Sequence, residues 1–311
     1  MNRVDIPKTD VEPLASVLNN LALERIDEKT YRGDSLIQVT GRIYGGQVFG
    51  QATIAAADHV NQTLGIGPDV RLAHSITGAF LRPGDLHKPI YFRVLDLNDG
   101  RSFSTRNVMA TQDDEIIFSA RVSFQLRQKG PSFGEPQPTD VPDPESIDSS
   151  VDFFAAIDSD YGHIMSTTNA LDLRHVDGMI YTSPAPTRSP HERIWLRTRS
   201  PLPEGTSRTV QRALLGYSAD QFMLEPALQA LGLSWMSPIS SIATLDHSIW
   251  WHRNFDISNW ILADMECLSA QNGRALIQAR FFQDGKHIAT MMQEGMVRVR
   301  PSSTEHEQVH E

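Results

Sequence analysis

The spacing of hydrophobic residues changes along the first half of the chain, and each change predicts a different element. Apolar residues in 11–24 recur at helical spacing, which predicts a short amphipathic helix. Residues 45–57 begin with two glycines and continue with small apolar side chains, a composition typical of a helix that is buried on most sides. From 71 to 125 the residues are β-branched and aromatic, which predicts strands. The first half is therefore predicted to be helical at first and then an antiparallel meander.

Turn signals separate the four strands expected in this meander. Asn98-Asp99-Gly100 follows the second strand and Gln112-Asp113-Asp114 follows the third. Both groups contain residues that tolerate a positive φ angle, which tight hairpins require. We therefore expect positive φ at both turns.

The same order of elements returns after residue 190. A strand over 191–200 is followed by a small-residue turn and an apolar helix within 214–228, and then by four more strands. Gln271-Asn272-Gly273 and Gln283-Asp284-Gly285 are turn signals between these strands. His74-Ser75-Ile76 has a counterpart 173 residues later in His247-Ser248-Ile249. We interpret the chain as a tandem duplication with an α+β fold, in which each copy is an antiparallel sheet wrapped around a central helix. Two such sheets placed edge to edge would protect strands that are otherwise exposed.

Composition sets the predicted segment boundaries. Residues 128–150 contain five prolines and little apolar content, which is typical of a linker or a surface excursion. The predicted order is an N-terminal copy at 1–127, a Pro-rich linker or insert at 128–190, a C-terminal copy at 191–300, and a polar tail at 301–311.

The charge balance and the cysteine content exclude several classes of function. The chain has 28 Lys and Arg against 38 Asp and Glu, a formal net charge of −10, which argues against nucleic acid as the main partner. Its single cysteine, Cys267, excludes an intramolecular disulfide and a multi-thiolate metal site. The sequence contains neither an apolar signal core at the N-terminus nor an apolar stretch long enough for a membrane-spanning helix. We therefore expect a cytoplasmic protein without membrane insertion.

Three matched positions of the duplication differ in chemistry, and they define a candidate catalytic site. The pairs are Gln47 and Asp220, Arg71 and Thr244, and Val122 and Gln293. The second copy thus holds a carboxylate, a hydroxyl and a carboxamide, which together can orient one water molecule with the carboxylate as general base. The alternative is structural: Asp220 would cap the N-terminus of a helix, and Thr244 and Gln293 would be surface residues of strands.

Other catalytic motifs are not supported. Gly216-Tyr217-Ser218-Ala219-Asp220 lacks the final glycine of a nucleophile elbow. Asp246, His247 and Ser248 are adjacent in a predicted strand, so their side chains alternate between two faces and cannot form a triad. The eleven histidines form no HExxH or His-x-His motif, and no nucleotide-binding glycine motif occurs. We therefore expect neither a metal nor a cofactor.

Six sequence blocks, in order over residues 15–300, resemble the acyl-CoA thioesterase II family. The blocks are GGQVFGQA (45–52), HSITGAFLRPGD (74–85), DGRSFSTR (99–106), LLGYSAD (214–220), IATLDHSIWWH (242–252) and QEG (293–295). The resemblance implies a double hotdog fold and hydrolysis of fatty acyl-CoA to free fatty acid and coenzyme A, without a metal or an acyl-serine. It also places the family's water-activating aspartate, threonine and glutamine at Asp220, Thr244 and Gln293.

Two other functions stay open at this point. A hotdog hydratase or dehydratase for enoyl or hydroxyacyl thioesters is the first, although Gly45-Gly46-Gln47 offers no His–carboxylate pair at the helix start. A non-catalytic acyl-CoA-binding module is the second. We expect acyl-CoA as the substrate and a homo-oligomer. The candidate cations for the coenzyme A phosphates are Arg253, Arg274, Arg298 and Arg300.

Overall fold

The computed structural model describes residues 3–38 and 41–299, and the strands of these residues lie in one antiparallel sheet of twelve. The strands are β1 (Glu24–Arg25), β2 (Thr30–Gly33), β3 (Arg71–Phe80), β4 (Ile90–Asp99), β5 (Phe103–Gln112), β6 (Glu115–Leu126), β7 (Leu171–His175), β8 (His191–Thr198), β9 (Ile239–Trp251), β10 (Ile261–Gln271), β11 (Arg274–Gln283) and β12 (Lys286–Val299). The α-helices of the described residues are α1 (Leu14–Leu21), α2 (Gly45–Leu64), α3 (Ser150–Ala155), α4 (Asp160–Thr168), α5 (Arg208–Ala219) and α6 (Glu225–Leu231).

The strand order across the sheet has an approximate two-fold symmetry. It runs β1-β2-β4-β5-β6-β3-β9-β12-β11-β10-β8-β7, so each strand of the first copy has its counterpart at the mirrored position. The two copies join where β3 pairs with β9, and Ile76 lies opposite Ile249, its own counterpart in the duplication. The predicted duplication with sheets placed edge to edge is confirmed.

Helix α2 is the central helix of the first copy, and it packs against β3, β4, β5, β6 and α5. It is buried from Gly46 to Val60, because glycine and alanine side chains let the surrounding elements approach closely. It ends at Gly65, whose φ of 61° gives the left-handed conformation common at helix ends. None of the helices in the described residues combines the length and the hydropathy needed to cross a membrane.

The four predicted hairpins all form, and three of them have positive φ at the turn. Asp113 and Asp114 have φ angles of 47° and 64°, and Asn272 and Asp284 begin the two later hairpins with φ of 53° and 51°. Positive φ was also expected in Asn98-Asp99-Gly100, but none of these residues has it. Strand β4 continues to Asp99, so the turn lies at 100–102 instead.

The helical region of the second copy differs from the prediction. An apolar helix was expected to follow a turn, but the turn at 220–224 lies between two helices, α5 and α6. Short-range hydrogen bonds from the nitrogen of Phe222 to the oxygen of Ala219 and from Glu225 to Phe222 form this turn. Asp220 therefore follows the last residue of α5, and the alternative of a helix N-terminal cap within its own copy is wrong.

Segment 128–190 lies along the second copy and contributes to its sheet. Arg280 pairs with Glu135 at 2.6 Å, and the indole nitrogen of Trp195 donates to the carbonyl of Pro142 at 3.1 Å. The segment also contains α3, α4 and β7, and β7 pairs with β8 at the sheet edge as β1 pairs with β2 at the other. The predicted boundary at residue 190 thus divides two paired strands, and the predicted tail at 301–311 lies outside the described residues.

Candidate active site

Asp220, Thr244 and Gln293 form one chain of hydrogen bonds. The hydroxyl of Thr244 donates to Oδ1 of Asp220 at 2.8 Å, and Nε2 of Gln293 donates to the Thr244 hydroxyl at 2.9 Å. Asp220 comes from the turn after α5, while Thr244 and Gln293 lie on the paired strands β9 and β12. The structure thus brings together the three residues that the comparison of the two copies singled out.

The first copy contributes the N-terminus of α2 to the same site. The backbone nitrogen of Gly46 donates to Oδ2 of Asp220 at 2.7 Å. The residue that precedes α2, Tyr44, supplies no side-chain cap, so the Asp220 carboxylate takes that role from the other copy. A β-carbon on Gly45 would lie 2.8 Å from the same oxygen. The two glycines therefore leave the helix terminus open to a negative charge, which the helix dipole favours.

Two tyrosines at matching positions of the duplication hold the copies together beside this contact. The hydroxyl of Tyr44 donates to the backbone carbonyl of Tyr217, and the two rings meet edge to face with centroids 5.1 Å apart. Burial, and then the charge of Asp220, raise the pKa of Tyr44 well above its usual value. The Tyr44 phenol is therefore neutral over the physiological pH range and acts as a hydrogen-bond donor.

His247 lies behind the carboxylate, and the sequence did not indicate it as a site residue. Its Nδ1 is 3.7 Å from Oδ1 of Asp220 and has no hydrogen-bond partner among the described residues. The ring is fully buried and packs on Phe49 with centroids 4.5 Å apart. Asp246 is exposed on the other face of β9, which confirms that Asp246, His247 and Ser248 form no triad.

A β-bulge explains why Thr244 and His247 face the same site although they are three residues apart. Asp246 pairs with Glu294 and Thr244 pairs with Gly295, so Leu245 is left without a partner on β12. This extra residue shifts the alternation of side chains by one position. Simple strand alternation would place the two residues on opposite faces, so sequence reasoning missed His247.

The site is nearly closed and contains an amide oxygen without a donor. The Asp220 side chain is 5% exposed, and Gln293 is 1% exposed. Oε1 of Gln293 has no hydrogen-bond partner among the described residues. A buried acceptor without a donor costs about 1–3 kcal/mol, so a small donor molecule such as water is favoured beside it. A carboxylate, a hydroxyl and an amide oxygen around one position can hold and activate that water.

The counterparts of these residues in the first copy have structural contacts instead. Gln47 accepts a hydrogen bond from the nitrogen of Leu36 at 2.8 Å and so holds the loop before α2. Arg71 donates to the hydroxyl of Ser104 at 2.6 Å, and Val122 is fully buried in the core. The chemical asymmetry between the copies is therefore also an asymmetry of contacts.

The structure describes three of the four arginines that were candidates for binding the coenzyme A phosphates. Arg253 donates to the Ser132 hydroxyl at 2.9 Å, and Arg274 pairs with Glu294 at 3.1 Å. Because Glu294 follows Gln293 in β12, Arg274 lies on the face of the sheet opposite Gln293. Arg298 is exposed near the end of β12, and Arg300 lies outside the described residues.

Comparisons with known proteins agree with this architecture. Family models described as "Acyl-CoA thioesterase" and "Acyl-CoA thioesterase N-terminal domain" match residues 176–296 and 36–125. The chain is 32% identical to acyl-CoA thioesterase 2 of Haemophilus influenzae over 293 residues, which are 92% of this chain and 99% of that protein.

Solved structures are similar over most of the chain. An acyl-CoA thioesterase II from Mycobacterium marinum is 30% identical with a TM-score of 0.71, covering 93% of this chain and 98% of that one. A protein with a hot dog fold from Alicyclobacillus acidocaldarius is 17% identical with a TM-score of 0.72, covering 92% and 99%. The predicted double hotdog fold is confirmed.

Proposed function

This chain belongs to the acyl-CoA thioesterase family, and from that premise we propose how its residues act on the substrate. It is a thioester hydrolase that converts an acyl-CoA and water to a free acid and coenzyme A. In the proposed mechanism a water molecule activated by Asp220 attacks the thioester, and the substrate is a fatty acyl-CoA. The catalytic residues are Asp220, Thr244 and Gln293.

The first step forms the carbon–oxygen bond. Water lies against Asp220 and donates one hydrogen bond to its carboxylate and another to Oε1 of Gln293, the buried acceptor without a donor. Asp220 takes the proton as the water oxygen attacks the thioester carbon, which gives a tetrahedral intermediate. Because the Thr244 hydroxyl donates to Asp220 and accepts from Gln293, it fixes both groups relative to this water.

The second step breaks the carbon–sulfur bond. The intermediate collapses, coenzyme A leaves as a thiolate, and Asp220 returns the proton to the sulfur. A thiolate is a better leaving group than an alkoxide or an amine, so a separate strong acid is not needed. The reaction consumes one water and leaves the enzyme unchanged.

The negative charge on the intermediate meets the positive end of helix α2. The backbone N–H of Gly46 already donates to Asp220, so it does not contact the oxyanion directly. Its role is therefore to hold the base. The field of the helix terminus still favours negative charge at this place.

The observation that carries this proposal is the chain of hydrogen bonds from Gln293 through Thr244 to Asp220 at the start of α2. The test is release of free thiol from saturated acyl-CoAs of graded chain length, alongside enoyl-CoA and 3-hydroxyacyl-CoA. We expect thiol release from the saturated substrates. Interconversion of enoyl and hydroxyacyl thioesters without thiol release would indicate a hydratase instead. Binding of acyl-CoA without turnover would indicate a binding module.

A further inference from the structure

A second cluster of ionisable side chains is buried in the C-terminal copy. It consists of His175 at the end of β7, Glu192 on β8 and Glu225 at the start of α6. One ligand atom from each of the three lies within 4.8 Å of the others. Nε2 of His175 is 3.1 Å from Oε2 of Glu225. The distance between His175 and Glu225 is close to that of two ligands of one metal ion, because ligands about 2.1 Å from a tetrahedral ion are about 3.4 Å apart.

The carboxylate of Glu192 has no partner that explains its burial. Glu192 is fully buried, and neither of its oxygens has a hydrogen-bond partner among the described residues. Nδ1 of His175 and Nε2 of Gln229 also have none. An unpaired buried carboxylate is very costly, so a proton or a cation must neutralise it.

A neighbouring side chain orients the carboxylate of Glu225. The indole nitrogen of Trp235 donates to Oε1 of Glu225 at 3.0 Å, which orients this carboxylate and leaves its Oε2 toward His175. Such second contacts orient metal ligands in proteins. The two carboxylates carry two negative charges when both are ionised, which one divalent ion would balance with His175 neutral.

A cavity lies beside α6, one helical turn after Glu225. It has a volume of about 490 Å³, and Gln229 lines it. Three carboxylates line it as well, those of Asp140, Asp177 and Asp264, against the cationic Arg193. Asp140 and Asp177 pair with Arg193, and Asp264 pairs with Arg280, so these groups keep one negative charge in excess. Gln229 is 2% exposed.

We propose that His175, Glu192 and Glu225 bind one divalent transition-metal ion of the zinc class. One imidazole and two carboxylates are ligands that zinc accepts, and the hard ions magnesium and calcium seldom take imidazole. The site joins β7, β8 and the start of α6, and the turn at 220–224 that carries Asp220 ends at α6. The ion therefore stabilises the second copy and the turn before α6 without touching substrate. The ligands come from three distant segments, so no local motif could reveal them.

The test measures zinc on the full-length protein. After purification without chelators, we expect about one equivalent of zinc by mass spectrometry of the metal. After chelation and dialysis, added zinc should raise Tm by more than about 3 °C. Cobalt in place of zinc should give the visible absorption of a four-coordinate site in the wild type, a readout that needs no variant. Unchanged Tm together with absent cobalt absorption would show that a shared proton neutralises Glu192, and would overturn the proposal.

Matched variants locate the ion. Glu192→Gln and His175→Gln should weaken zinc binding at least tenfold by titration calorimetry and abolish the zinc-dependent rise in Tm. Glu266→Gln, which changes an exposed glutamate on the neighbouring strand β10, should bind zinc like the wild type. Equal zinc affinity in all three variants would place the ion elsewhere and reject the site. Since none of these readouts uses hydrolysis, the result is independent of the mechanism proposed for Asp220.

Discussion

The backbone nitrogen of Gly46 lies 2.7 Å from Oδ2 of Asp220, so the carboxylate of one copy caps the first turn of the central helix of the other. Gly46 and Thr244 donate hydrogen bonds to the proposed base, and His247 lies 3.7 Å from it. Gly46 belongs to the first copy, and Thr244 and His247 belong to the second. Neither copy contains the complete site.

Replacing the proposed base tests its role directly. Asp220→Asn keeps the shape and one of the two acceptor oxygens but removes the group that takes the proton. We expect kcat to fall by about 10³- to 10⁴-fold with little change in Tm, measured by thiol release and thermal unfolding. Asp284→Asn is the control, because Asp284 lies in the β11–β12 hairpin and asparagine also tolerates its φ of 51°. Near-normal turnover by Asp220→Asn would reject this residue as the base.

Thr244 is expected to contribute by orienting Asp220 and Gln293. Thr244→Val removes the hydroxyl that links Gln293 to Asp220, and kcat should fall by about 10- to 100-fold, less than for loss of the base. Thr244→Ser retains the hydroxyl and should recover most of the rate. Gln293→Leu should lower kcat by a similar factor, and the double variant should lose less than the product of the two factors, because both residues hold the same water. Strictly multiplicative losses would contradict a shared role.

Gly46 cannot accept a side chain without displacing the other copy. A β-carbon there would overlap the backbone carbonyl of Tyr217 and the ring of Tyr44. We expect Gly46→Ala to lower the free energy of unfolding by about 1–3 kcal/mol and to reduce kcat, since the helix terminus moves away from Asp220. Gly67→Ala, with no atom within 4 Å of the added carbon, should have little effect on either quantity. Full activity and stability in Gly46→Ala would show that the contact between the copies is not needed.

The buried Arg106 predicts a pH dependence of stability in the first copy. Arg106 is fully buried and pairs with Asp96 at 3.0 Å and with Asp99 at 2.9 Å. Burial acts to raise the pKa of Asp99, but hydrogen bonds from Arg106 and Ser104 outweigh it, so the pKa is lowered. A lowered pKa contributes stability above the unfolded-state pKa of about 3.9, and this contribution is lost as the pH falls through the folded-state value.

We therefore expect Asp99→Asn to be about 1–2 kcal/mol less stable than the wild type at pH 7, by chemical denaturation. The difference should shrink once the pH falls below about 4, because the wild-type carboxyl then also loses its charge. Asp284→Asn is measured alongside as the matched control. A difference that stays constant from pH 7 to pH 3 would mean that the Asp99–Arg106 pair contributes nothing through its charge.

Local signals predicted much of the fold. Asn272 with Gly273 and Asp284 with Gly285 are turn pairs that accept positive φ, and both hairpins form where these residues stand. The turn near Asn98 was misplaced because the sequence does not show that Asp99 stays in β4, where it pairs with Arg106. At this hairpin the ion pair between Asp99 and Arg106 outweighs the turn preference of Asn98-Asp99-Gly100.

The candidate site was predicted in part for a similar reason. Differences between the copies pointed to Asp220, Thr244 and Gln293, and the structure places all three together. His247 was missed because the bulge at Leu245 cannot be recognised from a strand pattern, and Gly46 was missed because it acts through its backbone. Contacts that depend on strand register or on main-chain groups cannot be predicted from the types of side chain in the sequence.

The pairing of Ile76 with Ile249 at the centre of the sheet has a consequence for how such a chain can vary. In a symmetric homodimer of one repeat, every amino-acid replacement occurs twice, so an acid gained on one side is gained on both. Covalent fusion of the two repeats, which meet where β3 pairs with β9, removes that constraint. One repeat is then free to specialise in turnover, while its twin keeps only the helix terminus that steadies the acid.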